Sequence, residues 1–458
     1  MYSVDTIAAI ATAMSNSGIG IIRVSGSEAI DIVSKMFIMP NQMELNKVKS
    51  HTIHYGHIIY NHKVIDEVLV SVMKGPNSYT REDVVEINCH GGVVVLNKVL
   101  EICYIFGARP ANPGEFTKRA FINGRIDLSQ AEAVIDIINS KNEYALSNSV
   151  KQLGGKVSLK IKDIKDKILN EMAFIEAALD DPEHISLDNY SSELLNTTVD
   201  ISNELKQILD NADNGRVIFE GIKTVILGKP NAGKSSFLNA LVGEERAIVT
   251  DIEGTTRDSI EEEIKINGIN LKLIDTAGIR DTEDFVEKIG VDKSKNLAND
   301  ADLIIYIVDS SKNLDNNDYE IIDIIKDKKY IVLLNKSDLE VKVDASKLNM
   351  LNCDNIISIS AKTNDGIEDF NRIINDMFLS GSLAFNDEVY ITNQRQKNSI
   401  RNAYDSILLV KKSIEDEMPE DFFSIDLMNA YESLGQVTGD AIEDDLVNKI
   451  FSKFCMGK

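Results

Sequence analysis

The chain lacks the paired cysteines of a disulfide or zinc framework. Its four cysteines, Cys89, Cys103, Cys353 and Cys455, are scattered with no Cys-x-x-Cys spacing, which points to a reducing compartment. It lacks the basic start and apolar core of a secretory leader, opening instead on Met-Tyr-Ser-Val-Asp. No apolar run approaches bilayer length; the longest, such as residues 303–308, suit a buried strand. These absences predict a cytoplasmic protein with no membrane partner. Cationic excess is missing too. A formal net charge of −24 argues against a non-specific grip on nucleic acid or anionic lipid, while leaving room for a local basic site. Internal repeats and low-complexity stretches are absent. What remains is 458 residues, 43% hydrophobic and 27% charged, an ordinary soluble composition too long for one core.

Three textures follow one another. Residues 1–118 contain short β-like runs at 20–24, 68–73, 84–88 and 93–95, broken by glycine and proline turns, as in an α+β domain. From Ser129 the pattern is helical: Ser129 and Glu132 have capping-box spacing, and apolar-periodic stretches continue to about residue 209 with Pro182 as the breaker. From about residue 217, strand-like runs at 224–227, 271–274, 303–308 and 331–334 alternate with helical segments, predicting a mostly parallel sheet covered on both faces. Helical pattern returns at Gln394. The expected fold is multidomain, α/β plus all-α. It comprises an N-terminal α+β domain at 1–118, a helical domain at 119–215 and 380–458, and an inserted α/β domain at 216–379.

The inserted segment carries four motifs in order. Gly228-Lys229-Pro230-Asn231-Ala232-Gly233-Lys234-Ser235 matches the phosphate-binding loop between a strand and a helix that continues with Ser236. Backbone amides there close around phosphates, Lys234 neutralises the terminal ones, and the Ser235 hydroxyl suits Mg²⁺. By itself this loop leaves ATP and GTP undecided. Asp275-Thr276-Ala277-Gly278 supplies a carboxylate for the Mg²⁺ shell and an amide to sense the γ-phosphate. Asn335-Lys336-Ser337-Asp338 then selects guanine, because a carboxylate can accept from both the ring N–H and the exocyclic amine, which adenine does not offer in that arrangement. Ser360-Ala361-Lys362 completes the base pocket through a backbone amide. Between the first two motifs, Gly254-Thr255-Thr256 occupies the place of switch I, with Thr256 as the second Mg²⁺ hydroxyl and the γ-phosphate sensor. The sequence therefore reads as a P-loop, Ras-like GTPase domain. Ile279 stands where Ras-like enzymes keep a water-orienting glutamine. The catalytic group must come from elsewhere, and Asp281, Glu283, Asp284 and Glu287 are the nearby acids.

The flanks resemble the MnmE (TrmE) family of tRNA modification GTPases over the whole chain. The resemblance rests on Gly-Ile-Gly-Ile-Ile-Arg-Val-Ser-Gly (18–26), Ser-Tyr-Thr-Arg-Glu-Asp (78–83), Cys-His-Gly-Gly (89–92) and Pro-Gly-Glu-Phe-Thr-Lys-Arg-Ala-Phe (113–121). The inserted GTPase and the terminal Cys455-Met456-Gly457-Lys458 complete it. The resemblance implies nucleotide contacts from Thr250, Asp251, Ile252, Glu253, Gly254, Thr255 and Thr256. It implies K⁺ held by Asn231 with Thr250, Ile252 and Thr255, where other GTPases receive an arginine finger. It places the water-orienting acid at Glu287 among the catalytic residues, beside Lys234 and Thr256.

For the N-terminal domain the resemblance implies homodimerisation and a tetrahydrofolate derivative (5-formyl or 5,10-methylene) held by Arg23, Glu86, Arg125 and Lys458. Arginines and a lysine suit folate carboxylates, and a carboxylate suits pterin N–H donors. Cys455, in a mobile terminal tetrapeptide, is then a candidate functional thiol, although an isolated cysteine more often acts as a small buried hydrophobe. Arg109, Lys118, Arg119 and Arg125 against Glu115 form a candidate basic patch for folate or tRNA. The implied activity is installation of a carboxymethylaminomethyl-type group at C5 of the wobble uridine of certain tRNAs. The implied partner is the flavoprotein MnmG, which would carry FAD and use NADH. The alternatives are a ribosome-assembly GTPase, which would need an RNA-binding loop not found here, and a purely regulatory GTP switch.

Overall fold

In a computed structural model, residues 5–181, 183–185, 190–244, 262–266, 269–274, 301–344, 348, 351, 353–378, 391–440, 444–455 and 457–458 are described. They form two compact units, each discontinuous in sequence. The first comprises residues 1–138, 150–202 and 398–458, and the second comprises 139–149 and 203–397. The molecule is multidomain, mixing α/β and all-helical parts. No described helix is long and apolar enough to cross a membrane.

In the first unit, β1 (Ile7–Ile10), β2 (Ser17–Ser25), β3 (Phe37–Ile38), β4 (Thr52–Tyr60), β5 (Lys63–Met73), β6 (Val84–Gly91) and β7 (Arg109–Pro110) make one sheet in the order β3-β4-β5-β6-β2-β1-β7. Only β1 and β7 pair in parallel. Strand periodicity divides its faces. Ile22, Val24, Val68, Val70, Val72, Val85 and Ile87 point into a core shared with helices Ala29–Ser34 and Val93–Ile105. Arg23 and Glu86 lie on the opposite face, paired across β2 and β6, with the exposed Ile53, Tyr55 and Leu69. The strand expected at 93–95 is instead the first turn of the helix Val93–Ile105. Its buried positions, Leu96, Val99, Ile102 and Cys103, follow the helical period, and that burial outweighs the β propensity of three valines.

Helices complete this unit. Lys156–Asp180 packs on Glu420–Thr438, where Lys165 Nζ reaches Asp440 at 2.5 Å and the Tyr431 ring at 4.5 Å. The helix Leu128–Asn139 is capped two residues earlier than its sequence suggests. Asp127 Oδ1 accepts from the Gln130 amide, and Gln130 Oε1 accepts from the Asp127 amide, so the capping box is Asp127–Gln130 rather than Ser129–Glu132. Aspartate caps as well as serine, and Ser129 instead donates to Asp127.

In the second unit, β8 (Ile222–Gly228), β9 (Glu262–Ile266), β10 (Ile269–Leu273), β11 (Leu303–Asp309), β12 (Tyr330–Asn335) and β13 (Ile356–Ser358) are ordered β13-β12-β11-β8-β10-β9. All neighbours are parallel except β9 and β10. The central strands β11 and β12 are almost wholly apolar and buried because both faces are covered. Helices Lys234–Glu244 and Ile367–Phe378 seal one side around Phe237 and Phe370, and Asn316–Ile325 seals the other around Tyr306 and Ile322.

Candidate nucleotide site and N-terminal charge cluster

Three motifs converge at the carboxyl ends of parallel strands, where open α/β sheets bind ligands. The phosphate loop leaves β8, the Asn335–Asp338 motif leaves β12, and Ser360–Lys362 follows β13. Asn335, 2% exposed, locks them together. Its Nδ2 donates to Ala232 O at 2.8 Å, and its Oδ1 accepts from the Ala361 amide at 3.0 Å. Gly233, at φ +99°, lies directly against that side-chain amide, so a side chain there would collide with Asn335. Ser360 Oγ donates to Asp338 Oδ1 at 2.9 Å, orienting an otherwise exposed carboxylate. Gly233, Ser236, Asn335, Asp338, Lys362 and Asn364 line a cavity of about 670 Å³.

Lys234 Nζ donates to Gly228 O at 2.6 Å and Lys229 O at 3.0 Å. Burial pushes its pKa down from the usual lysine value. A phosphate arriving here would compensate that lost hydration. Lys336 Nζ meets Asp309 Oδ2 at 2.6 Å. Burial favours the neutral acid at Asp309, but the bonds from Lys336 and Ser311 outweigh it and hold the carboxyl below its ordinary range. Asn231, Ser235 and Ser236 are exposed at the loop, and Asn231 adopts a left-handed backbone (φ +63°). Thr250, Asp251, Ile252, Glu253, Gly254, Thr255, Thr256, Asp275, Thr276, Ala277, Gly278 and Glu287 lie outside the described residues, as do Ile279, Asp281, Glu283 and Asp284.

In the first unit, residues far apart in sequence meet on the sheet face that carries Arg23 and Glu86. Arg23 Nε pairs with Glu86 Oε1 at 2.8 Å, and its Nη1 donates to Gly457 O at 3.0 Å. Gly457, at φ +82°, lies against the backbone of Ile10 and Ala11, an approach that leaves no room for a Cβ. The Gly114 amide donates to Cys455 O at 3.3 Å, so the terminal segment expected to be mobile is hydrogen-bonded to the rest of the unit. The Cys455 thiol is exposed, and Lys458 is half-buried. Tyr79 escaped the sequence reading. Two guanidiniums approach its ring, Arg23 at 5.4 Å and Arg125 at 4.7 Å, while its hydroxyl shares a hydrogen bond with Thr117 at 2.9 Å. The only signal was its place inside the 78–83 motif.

The expected basic patch is corrected by pairing. Arg119, 8% exposed, donates to Asp5, Glu82 and Glu115. Arg109 binds Asp5 and Glu115, and Lys118 donates to Asn448 Oδ1. Burial pushes the Glu115 carboxyl up, but bonds from Arg109, the Asn112 amide and Arg119 outweigh it and leave it below the usual range. These charges line a cleft of about 480 Å³ with their electrostatics already compensated. Sequence separation hid Asp5 and Glu82, so four cations against one acid looked like a patch.

The family described as "MnmE helical domain" matches residues 128–455, and "GTP-binding protein TrmE N-terminus" matches residues 6–125. The tRNA modification GTPase MnmE of Lachnoclostridium phytofermentans is 56% identical over 455 residues, covering 99% of each chain. Its namesake from Clostridioides difficile is 47% identical over 460 residues, covering 100% of each. A single-residue variant of Aquifex aeolicus Era bound to GDP·AlF4⁻ is 25% identical, covers 41% of this chain and 67% of its own, and has a TM-score of 0.26, too low to bear on the fold. The chain belongs to the MnmE family of tRNA modification GTPases.

Proposed function

We propose that the chain hydrolyses GTP to drive modification of the wobble uridine of certain tRNAs, working in the cytoplasm with the flavoprotein MnmG. The observation that carries this reading is the cavity lined by Gly233 and the guanine-selecting Asp338, where Asn335 ties the phosphate loop to the Ala361 segment. Asn231 to Ser236 would bind the phosphates, Asp338 the guanine edge, and the Ala361 and Lys362 segment the guanine oxygen. Ser235, Thr256 and Asp275 are hard oxygen donors that fit Mg²⁺, which would offset charge on the phosphates. Asn231, Thr250, Ile252 and Thr255 are oxygen donors suited to K⁺, which would supply positive charge between the β- and γ-phosphates. Glu287 would orient the attacking water through a bridging water. Normal turnover of Glu287→Ala at saturating K⁺ would remove that role.

The N-terminal unit would bind the folate derivative through Arg23, Glu86, Arg125 and Lys458, whose charges fit its carboxylates and pterin donors. The folate would supply the one-carbon unit, with FAD and NADH on MnmG supplying reducing power. Cys455, exposed beside this cluster, would be the thiol at the site. Farther along the face that carries Arg23, β4 and β5 expose Ile53, Tyr55 and Leu69, which supports homodimerisation there. In this reading residues 1–118 form the folate and dimer domain, 119–215 with 380–458 the helical domain, and 216–379 the GTPase.

Mass spectrometry of digested tRNA from cells lacking the gene tests the proposal. The C5 aminomethyl-type group should disappear, return with the intact gene, and stay absent with an Asp338→Asn copy. An unchanged nucleoside profile would leave only the GTPase.

A further inference from the structure

A polar chain that starts inside the sheet holds the phosphate loop from one side. Tyr306, fully buried in the middle of β11, donates its hydroxyl to Asp318 Oδ1 at 2.6 Å. Asp318, 3% exposed, accepts through Oδ2 from Lys229 Nζ at 2.5 Å and from the Asp315 amide at 2.8 Å. Lys229 also meets Asp315 Oδ2 at 2.7 Å. Asp315 and Asp318 form the capping box of the helix Asn316–Ile325, a device that needs neither a buried tyrosine nor a lysine from another loop. Burying a hydroxyl in the centre of a sheet is costly unless it is bonded, so its partner matters. Tyr306 pairs across the sheet with Leu227, one residue before the phosphate loop begins at Gly228.

The other end of Lys229 is equally constrained. Its carbonyl, with that of Gly228, accepts from Lys234 Nζ. Lys229 is thus gripped twice, at its ammonium by the two aspartates and at its backbone by the lysine that would face the phosphates. We infer that Asp318, backed by Tyr306, is a positioning residue for nucleotide binding. Through Lys229 it fixes the two carbonyls on which Lys234 rests and keeps the loop in its phosphate-binding shape before nucleotide arrives. A loop already ordered spares the ordering cost at binding. That benefit is equal in ground and transition states, so it belongs in KM and Kd rather than kcat.

The test is steady-state GTP hydrolysis by the full chain, with Kd for a fluorescent guanine nucleotide and the melting temperature alongside. Asp318→Asn and Lys229→Met should raise KM and Kd about tenfold with kcat within about twofold of wild type. Tyr306→Phe, which leaves Asp318 its lysine, should raise them about threefold. Lys229→Arg should restore near-wild-type values, because a guanidinium still reaches both aspartates. A merely structural cap would lower the melting temperature and the active fraction while leaving KM and Kd of the folded protein unchanged, and that result would overturn the inference. An equal rise in Lys229→Arg would overturn it too. Should Asp318→Asn fail to fold, Lys229→Met and Lys229→Arg decide by the same criteria.

Discussion

The two charge clusters hold their cations in opposite ways. In the nucleotide unit, Lys234 rests on two neutral carbonyls, so its charge remains available to an incoming phosphate. In the N-terminal unit, Arg23 is already paired with Glu86, and Arg109 and Arg119 with Asp5, Glu82 and Glu115. A guanidinium already bound to a carboxylate gains less from a second anion, because part of its field is spent. The first cluster is built to bind by charge. The second holds its cations in pairs that are ordered and compensated in advance.

If that contrast is right, removing a cation should damage different properties in the two units. Arg119→Met leaves three carboxylates without their shared partner, and breaking a buried ionic network costs about 3–5 kcal/mol. Asp5 and Glu82 reach solvent, so the lower end applies, about 3 kcal/mol. Chemical denaturation measures it, and a loss below about 1 kcal/mol would mean the acids simply relax into water. Lys234→Ala should instead abolish GTP hydrolysis at little cost in stability. Next in size is Asp338→Asn, which puts an amide donor against guanine donors. GTP affinity should fall about 100-fold, while xanthosine triphosphate, with a carbonyl at that position, should bind better than it does to wild type. Equal losses for both nucleotides would mean that Asp338 acts only as a partner of Ser360.

Placement in the N-terminal cluster is the next thing to break. Tyr79→Leu keeps both arginines but removes the ring that both contact, and two cation–π contacts are together worth about 1–2 kcal/mol. Binding of 5-formyltetrahydrofolate, followed by calorimetry, should weaken about tenfold. Tyr79→Phe keeps the ring and loses only the Thr117 bond, so it should sit near wild type. Unchanged affinity in Tyr79→Leu would show that Arg23 and Arg125 need no platform.

The same difference explains what could be read from the sequence. A phosphate loop is local: consecutive amides, a glycine and a lysine make the site within about eight residues, so its spacing is its geometry. The apolar runs that became β8, β10, β11 and β12 were legible because a covered parallel sheet demands them. The run at 93–95 misled because three valines carry no period by themselves, and the helix is decided by Leu96, Val99 and Ile102 beyond them. The N-terminal cluster could not be read from spacing. Arg23 meets Glu86 63 residues later and Gly457 434 residues later, and only family resemblance joined them. Tyr79 was missed because its role depends entirely on neighbours that the sequence does not place.

The thiols give a smaller test of the N-terminal unit. Burial pushes Cys89 and Cys103 up to about 12, whereas Cys455 is exposed. At pH 8 about one in ten thousand of each buried thiol is ionised. Iodoacetamide should therefore label Cys455 and spare Cys89 and Cys103 until denaturant is added, as read by peptide mass spectrometry. Rapid labelling of the buried pair would mean the sheet opens far more often than its packing implies.

The smallest expected effect concerns His90, an imidazole already paired with a carboxylate at the far end of the same sheet face. Asp66 accepts from the His90 ring at 2.6 Å and from its backbone amide at 2.9 Å. The hydrogen bond and charge of Asp66 raise the imidazole above its ordinary 6.5, with Glu67 adding to them against slight desolvation. A raised folded-state value stabilises the protonated, folded form. The contribution is therefore fully present below about pH 6.5 and is lost as pH rises through the folded value. Because His90 is solvent-exposed, stability should barely register the change, and the informative measurement is its NMR titration. The midpoint should lie above 6.5 and return toward it in Asp66→Asn. If the midpoint is already ordinary in the wild type, pairing on this face has geometry without electrostatic weight. The contrast with Lys234 would then rest on Arg119 and its three acids alone.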